Sequence, residues 1–278
     1  MDKFFDFDKT LEVMQYAFVR DALLAAAILG LLAGVLGPLI VSRNMAFSVH
    51  GTSELAVTGG AGALLLGFSP ALGALGGSVV AALVLGLLSR RNTETDSVIG
   101  VVLAFGLGLG VLFLWMYPGR ASNKFGLLVG QIVSVDFASI LLLTICAVVV
   151  LGVLAVIYRP LMFASVDPDV ARARGVPTGA LSPVFAVLVG VATALGVQTV
   201  GALLVLSLMV TPAAAACRIT ANPLRATILS VVFAEVSVLG GIVLSLAPGV
   251  PVSAFVCTIS FVIYGITRVL VRKRSLVH

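Results

Sequence analysis

The sequence predicts an all-α, polytopic bundle of transmembrane helices. Of its 278 residues, 60% are hydrophobic and only 10% are charged, whereas an ordinary soluble chain is about 25% charged. A globule of this size could not cover its surface with so few polar groups, so its surroundings are mostly lipid. The 29 glycines agree with this interpretation, because small residues let membrane helices approach one another closely.

Nine apolar blocks, each near the ~20 residues that cross a bilayer, divide the chain. They run over 17–42, 46–67, 70–89, 97–117, 136–158, 180–197, 199–217, 225–247 and 252–271. Gly, Pro or very short connectors interrupt the second, third, sixth and seventh blocks. Eight spans with one broken or re-entrant segment is therefore the alternative. Residues 1–278 are predicted to form a single transmembrane domain.

Basic residues orient the chain, because Lys and Arg collect on the cytoplasmic side. If the polar loop over 159–179 is cytoplasmic, nine spans place nearly all loop cations on that side, with the N-terminus outside and the C-terminus inside. The cytoplasmic set is Arg43, Arg90, Arg91, Arg159, Arg172, Arg174, Arg218, Arg225 and the basic tail 272–274. Of the cations in the loops between spans, only Arg120 and Lys124, in the 118–135 loop, fall outside.

Several function classes are excluded by what the sequence lacks. The net charge of +5 is not gathered in a basic patch interleaved with aromatics, so no nucleic-acid partner is expected. No G-x-x-x-x-G-K-[ST] motif is present, so any ATP is bound by another chain, and the protein itself is not expected to be an enzyme. The apolar blocks contain no paired aspartates, no His-Glu-x-x-His motif and no Ser/His pair, which argues against an intramembrane protease.

Two ionisable residues lie near the start of the second block, in NMAFSVHGTSELAVTGG. His50 and Glu54 are four residues apart, so on a helix they share one face. An imidazole and a carboxylate placed together could offer nitrogen and oxygen ligands to a divalent cation. The alternative is a helix-terminal histidine hydrogen-bonded to Glu54 near the membrane interface.

A third ionisable residue, Glu235, lies in the middle of the apolar segment SVVFAEVSVLGGIVLS. A carboxylate at this depth needs a cation, a proton or a polar group on another helix. Intramembrane ionisable residues are functional candidates by default. The alternative is a protonated structural Glu that bonds a neighbouring helix.

The loop sequence VDPDVARARGVP predicts a short helix. Asp167 is a favoured N-cap and Pro168 a favoured first residue, whereas Gly175 and then Pro177 end the helix. On the cytoplasmic side such a helix could dock a partner, or it could be an ordinary connection between spans.

The loop also resembles the Asp-Pro-x-x-Ala-x-x-x-Gly-[Ile/Val/Leu]-Pro loop of the membrane subunits of bacterial zinc and manganese ABC importers. Other segments resemble the same family in the same order along the chain. They are LLAGVLGPLIVSRNMAFSVHGTSELAVTGGAGALLLG, ETDSVIGVVLAFGLGLGVLF, FGLLVGQIVSV and VQTVGALLVLSLMVTPAAAACRIT. The resemblance covers nearly the whole chain and is most specific in the loop and around Pro212.

The resemblance implies a multi-pass permease in the bacterial plasma membrane. It further implies a homodimer of this chain, a separate ATP-binding ABC subunit and an extracytoplasmic metal-binding protein. The coupling helix near 167–175 would dock on the ATPase, with Asp167, Pro168, Ala171, Gly175 and Pro177 as the residues that match the family motif. No cofactor would be bound permanently, since Zn²⁺ or Mn²⁺ would be the cargo.

The chain departs from the family in the second span. The family pattern has Asp four residues before His and Pro three residues after it, whereas this chain has His50 and then Glu54, with Thr58 near the Pro position. One imidazole and one carboxylate remain at the same spacing. We therefore expect His50, Glu54 and Glu235 to be the transient metal ligands.

Two other functions stay open at this point. The first is a permease of the same architecture for a metal chelate such as a siderophore or haem, which needs a wider path. The second is a proton-coupled secondary transporter in which Glu235 carries the proton and no ATPase takes part.

Overall fold

A computed structural model of the chain describes residues 14–88, 95–119, 137–246 and 251–275. Ten helices and no strands occur in these ranges. In chain order they are α1 (Ala17–Ser42), α2 (Ala46–Leu65), α3 (Pro70–Leu88), α4 (Thr95–Met116), α5 (Phe137–Val166), α6 (Pro168–Ala173), α7 (Thr178–Val200), α8 (Ala202–Ile219), α9 (Pro223–Leu246) and α10 (Val252–Ser275). The predicted all-α class is confirmed.

Each of the nine predicted blocks corresponds to one long helix, and the remaining helix, α6, is the short one predicted in the polar loop. Among the described residues, six helices are long and apolar enough to cross a membrane by length and composition: α1, α4, α5, α7, α9 and α10. Residues 70–86 and 204–219 form shorter apolar helices. The chain is therefore a multi-pass membrane protein.

Three of the four interrupted blocks, now α2, α3 and α8, are the ones outside that set of six. The fourth, α7, is apolar enough despite Pro183 within it. Membrane helices tolerate such prolines because neighbouring groups satisfy the freed backbone. Nine spans with the N-terminus outside therefore stays a prediction, as does the eight-span alternative. Arg90, Arg91, Arg120 and Lys124, which helped to orient the chain, lie outside the described residues, as does the whole FGLLVGQIVSV segment.

Contacts divide the chain into two compact units. The first comprises Met1–Val41, Gln131–Thr144 and Leu206–His278, and the second comprises Ser42–Gly130 and Ile145–Val205. The predicted single domain over 1–278 stays a prediction.

The second unit is organised around α2, which packs against α3, α4 and α7. The crossing of α2 and α3 is lined by glycines: a Cβ added to Gly77 would lie against the Leu55 carbonyl oxygen and 2.9 Å from the Gly59 Cα. Such close backbone approach is the usual function of small residues between membrane helices. Hydrogen bonds attach α3 to α7, with Ser78 Oγ donating to the Gly190 carbonyl oxygen at 2.7 Å.

The first unit also relies on glycines. Gly34 of α1 lies so close to Val231 of α9 that an added Cβ would be 2.8 Å from its backbone nitrogen. Gly30, one turn earlier, faces Glu235 of α9. The helix α9 in turn packs on α10, where Gly241 lies against Val256. Glu235 is thus held where α1 and α9 meet.

Candidate functional site

His50 and Glu54 both lie on α2, with His50 in the second turn and Glu54 one turn later. Glu54 is 8% exposed and His50 is half-buried. The His50 ring lies 6.3 Å from the Phe47 ring, centroid to centroid. One face of α2 therefore carries an imidazole and a buried carboxylate within a single helical turn.

Thr58 holds the turn that follows Glu54 against α4. Its hydroxyl lies 2.7 Å from the Gly106 carbonyl oxygen, and 3.0 Å from the Glu54 carbonyl oxygen on its own helix. Gly110 leaves room for this contact, because a Cβ there would lie 3.0 Å from the Thr58 Oγ1. The residue near the family's Pro position is thus a hydrogen-bonding contact between two helices.

Glu235 lies in the first unit and is half-buried. A Cβ added to Gly30 would be 3.0 Å from its carboxyl carbon, so the glycine makes room for the carboxylate. Within the described part of the chain, the Glu235 Oε2 atom is buried and has no hydrogen-bond partner. Because buried polar atoms are nearly always paired, this oxygen is available to a proton or a cation.

The three predicted ligands are therefore divided, with His50 and Glu54 in the second unit and Glu235 in the first. Across the described ranges, no group of three or more His, Cys, Asp and Glu side chains is placed to hold a metal ion. The Arg172–Asp169 ion pair of the described residues, at 2.9 Å, involves neither glutamate. A shared three-residue site stays a prediction.

A cavity of about 180 Å³ lies on the other face of α2, between α3 and α7. Ser48 and Thr52 line it, and these positions lie on the side of the helix away from His50 and Glu54. Arg43 also borders this cavity. A cation would be repelled at this border, so we do not assign the cavity to the ion path.

The short helix predicted in the polar loop is present with the expected N-cap, and its function as a coupling helix stays a prediction. The Asp167 side chain accepts hydrogen bonds from the backbone N–H groups of residues 169 and 170 at 3.1 and 3.0 Å, and Pro168 is the first helical residue. Gly175 adopts a φ of +80° just after the helix, and Pro177 follows. Ala171 is fully buried while the rest of α6 is exposed. The helix is therefore anchored through Ala171, and its other side chains are exposed.

One residue of this region was not identified from the sequence beyond its use in orienting the chain. Arg43 donates hydrogen bonds to Ser165, which precedes α6 in the chain, and to Ser182, which follows it. Burial lowers the pKa of its guanidinium, which still remains charged at neutral pH. Its partners are 122 and 139 residues away in sequence, so no local pattern could have indicated them.

Curated relatives include two bacterial transport proteins. A Halalkalibacterium halodurans protein named manganese transport system membrane protein MntC is 27% identical over 256 residues, covering 92% of this chain and 88% of the relative. A Haemophilus influenzae protein named high-affinity zinc uptake system membrane protein ZnuB is 26% identical over 231 residues, covering 83% of this chain and 88% of the relative.

Solved structures share the fold. A chain of PsaBC from Streptococcus pneumoniae in complex with Fab superposes with a TM-score of 0.85 at 21% identity, over 94% of this chain and 95% of that one. An ABC transporter described as putative metal-chelate type, in an inward-facing conformation, superposes with a TM-score of 0.66 at 19% identity, over 89% of this chain and 84% of that one. The family model for the ABC 3 transport family matches residues 15–270. The chain belongs to the ABC 3 transport family.

Proposed function

We propose that this chain is the membrane permease subunit of an ATP-driven importer of a divalent transition metal ion, with Mn²⁺ ahead of Zn²⁺ as its cargo. The observation that carries the proposal is the family match over residues 15–270. Relatives named for manganese and for zinc transport support the cargo class. The ATPase is a separate chain, an extracytoplasmic binding protein delivers the ion, and the permease functions as a homodimer.

The proposed ligands are His50, Glu54 and Glu235, which hold the ion in passing. Incomplete coordination suits this function, because an ion that binds too tightly does not leave. Two carboxylates and one imidazole form a harder ligand set than the thiolate- and imidazole-rich sites that Zn²⁺ prefers, which favours Mn²⁺. The orphan Oε2 atom of Glu235 and the buried carboxylate of Glu54 support this assignment.

ATP-driven closure of the ATPase pair would move α6, and the helices would then alternate between outward and inward access. The exposed surface of α6 supports its assignment as the docking element. Its motif residues Asp167, Pro168, Gly175 and Pro177 lie at the two ends of the helix. Ala171 is the buried residue through which the helix packs on the rest of the second unit.

The test is uptake of Mn²⁺ and Zn²⁺ by proteoliposomes that contain the chain with its ATPase. We expect Glu54→Gln and Glu235→Gln to reduce uptake by at least about ten-fold, since even the loss of an outer-shell partner costs roughly 10–100-fold in metal affinity. The matched control is Ser53→Ala, because the Ser53 hydroxyl bonds only the His50 carbonyl oxygen of its own helix. Unchanged uptake in both Gln variants and in His50→Ala would remove the site assignment.

Two outcomes would favour the other functions. Uptake that runs without ATP, driven by a pH gradient, would indicate a secondary transporter. A metal chelate that competes for uptake where free Mn²⁺ and Zn²⁺ do not would indicate a chelate permease.

A further inference from the structure

One arginine connects both flanks of the coupling helix to the start of α2. Arg43 lies in the turn between α1 and α2, where Asn44 adopts a φ of +54°. Its Nη1 donates to the Ser165 Oγ at 3.0 Å, and its Nη2 donates to the Ser182 Oγ at 2.8 Å. Ser165 is in the last turn of α5, and Ser182 is near the start of α7. The two serines therefore flank α6 on its two sides.

The chemistry of these bonds suits a stiff connection. Ser165 donates its own proton to the Leu161 carbonyl oxygen at 2.7 Å, so its oxygen is left to accept from Arg43. A guanidinium is planar and its N–H groups point in fixed directions, so it can hold two hydroxyls at once. Its carbon also lies 5.7 Å from the ring centroid of Phe185, which is fully buried in α7. Hydrogen bonds from a charged donor are stronger than neutral ones.

Arg43 is also close in sequence to the predicted metal ligands. The helix α2 begins at Ala46, and His50 follows in its second turn. Because α2 packs along α3 and α4, a displacement at its first turn is carried along the helix as a rigid element. A shift of the α5 end and the α7 start would therefore act on the helix that carries His50 and Glu54.

We propose that Arg43 is a positioning residue that transmits displacement of the coupling helix to α2 and so to His50 and Glu54. The proposal rests on the proposed function, since it takes α6 as the contact with the ATPase. A residue that only stabilises the turn would change the amount of active protein. A transmitting residue changes how many ions are imported for each ATP hydrolysed.

The experiment uses proteoliposomes of the chain with its ATPase, in which ATP hydrolysis and uptake of radioactive Mn²⁺ are measured together. For Arg43→Gln we expect the ATP hydrolysed per imported ion to rise about five-fold or more, the lower end of typical coupling effects, while hydrolysis itself largely persists. Arg159→Gln is the matched control, because Arg159 is an exposed arginine of the same helix, α5, that carries Ser165. It should keep the wild-type ratio.

Further variants test the hydrogen bonds that Arg43 makes with Ser165 and Ser182. Ser165→Ala combined with Ser182→Ala should reproduce most of the Arg43→Gln effect, and adding Arg43→Gln to that pair should change the ratio little further, because both hydrogen bonds of the guanidinium are already lost and only its contact with Phe185 remains. Arg43→Lys should restore the ratio only in part, since an ammonium keeps the charge but lacks the planar fork.

A separate readout does not need the cargo. A fluorophore on Leu66→Cys, at the exposed far end of α2, in a chain whose native cysteines are replaced, should respond to ATP in the wild type and not in Arg43→Gln. If the wild-type complex imports neither Mn²⁺ nor Zn²⁺, the proposed function fails and this label alone decides the inference. A wild-type ratio in Arg43→Gln, a parallel loss of uptake and hydrolysis, or a label response that is retained or never present would overturn the inference.

Discussion

Two acidic residues within apolar helices, Glu54 and Glu235, are accommodated by different neighbours. Glu54 is buried beside a turn that a threonine holds against α4, whereas Glu235 fits against a glycine of α1. In both cases the backbone around the carboxylate is fixed by other residues. A carboxylate in lipid is costly unless it is paired, so its fixed surroundings are consistent with a group kept for binding.

Thr58 gives a prediction at this scale. Thr58→Val keeps the shape of the side chain but removes the hydroxyl that reaches the Gly106 carbonyl oxygen. We expect the free energy of unfolding to fall by about 1 kcal/mol, within the range measured for hydrogen bonds between membrane helices. Denaturation in mixed detergent micelles measures this change.

Two variants test the cause of that loss. Thr58→Ser keeps the hydroxyl and should stay closer to wild-type stability. Thr144→Val is the control, because the Thr144 hydroxyl bonds only within α5, to the Ile140 carbonyl oxygen. Equal losses for Thr58→Val and Thr144→Val would mean that the contact with α4 contributes nothing of its own.

The candidate residues of the site can be recognised in the sequence, whereas their contacts cannot. His50, Glu54 and Glu235 stand out because ionisable residues are rare inside apolar blocks, and the cap of α6 is encoded within a few residues of loop. Arg43 differs, because its hydrogen bonds reach two serines more than a hundred residues away. Composition and spacing carry no record of such a pairing.

At the scale of elements, close helix crossings depend on individual glycines. Gly76 and Gly77 are adjacent in α3, yet a Cβ on Gly76 would meet nothing within 4 Å, whereas one on Gly77 would press against the backbone of α2. Replacing either glycine by alanine changes the intrinsic helix propensity by the same amount. A difference in stability between the two alanine variants therefore reports packing.

Gly77→Ala should therefore lower the free energy of unfolding by about 1–3 kcal/mol, the usual cost of overpacking. Gly76→Ala should be neutral or stabilising by up to ~1 kcal/mol, because alanine is the better helix former. Detergent denaturation of both variants compares them directly. Similar losses at the two positions would show that α2 and α3 are not held at close distance by Gly77.

The end of α5 differs from the end of the apolar block that predicts it. The predicted apolar block runs over 136–158, and Arg159 and Pro160 follow it. The helix α5 instead continues through Pro160 to Val166. A proline removes only one backbone hydrogen bond, and Arg159 is exposed, so neither residue has to end the helix. The sequence contains no signal that distinguishes this continuation from a stop.

At the scale of the whole molecule, the number of crossings determines where the two termini lie. The described residues contain nine helices of 18 residues or more. Six of them are long and apolar enough to be spans, α2 is outside that set, and the apolar stretches found within α3 and α8 are 70–86 and 204–219. An odd number of crossings places the termini on opposite sides of the membrane, and an even number places them on the same side. The positions of the basic residues favour the odd number.

We therefore expect a cysteine at position 2 to react with a membrane-impermeant maleimide from outside intact cells, and a cysteine at position 276 to react only in inverted vesicles. Both are placed in a chain in which Cys146, Cys217 and Cys257 are replaced. Val166→Cys marks the cytoplasmic side, because Val166 is 79% exposed and directly precedes the α6 cap. Labelling of both termini from one side would establish an even number of crossings. One helix would then enter and leave the membrane on the same side. The first to examine would be α2, which has 20 residues but is outside the set of six and carries His50 and Glu54.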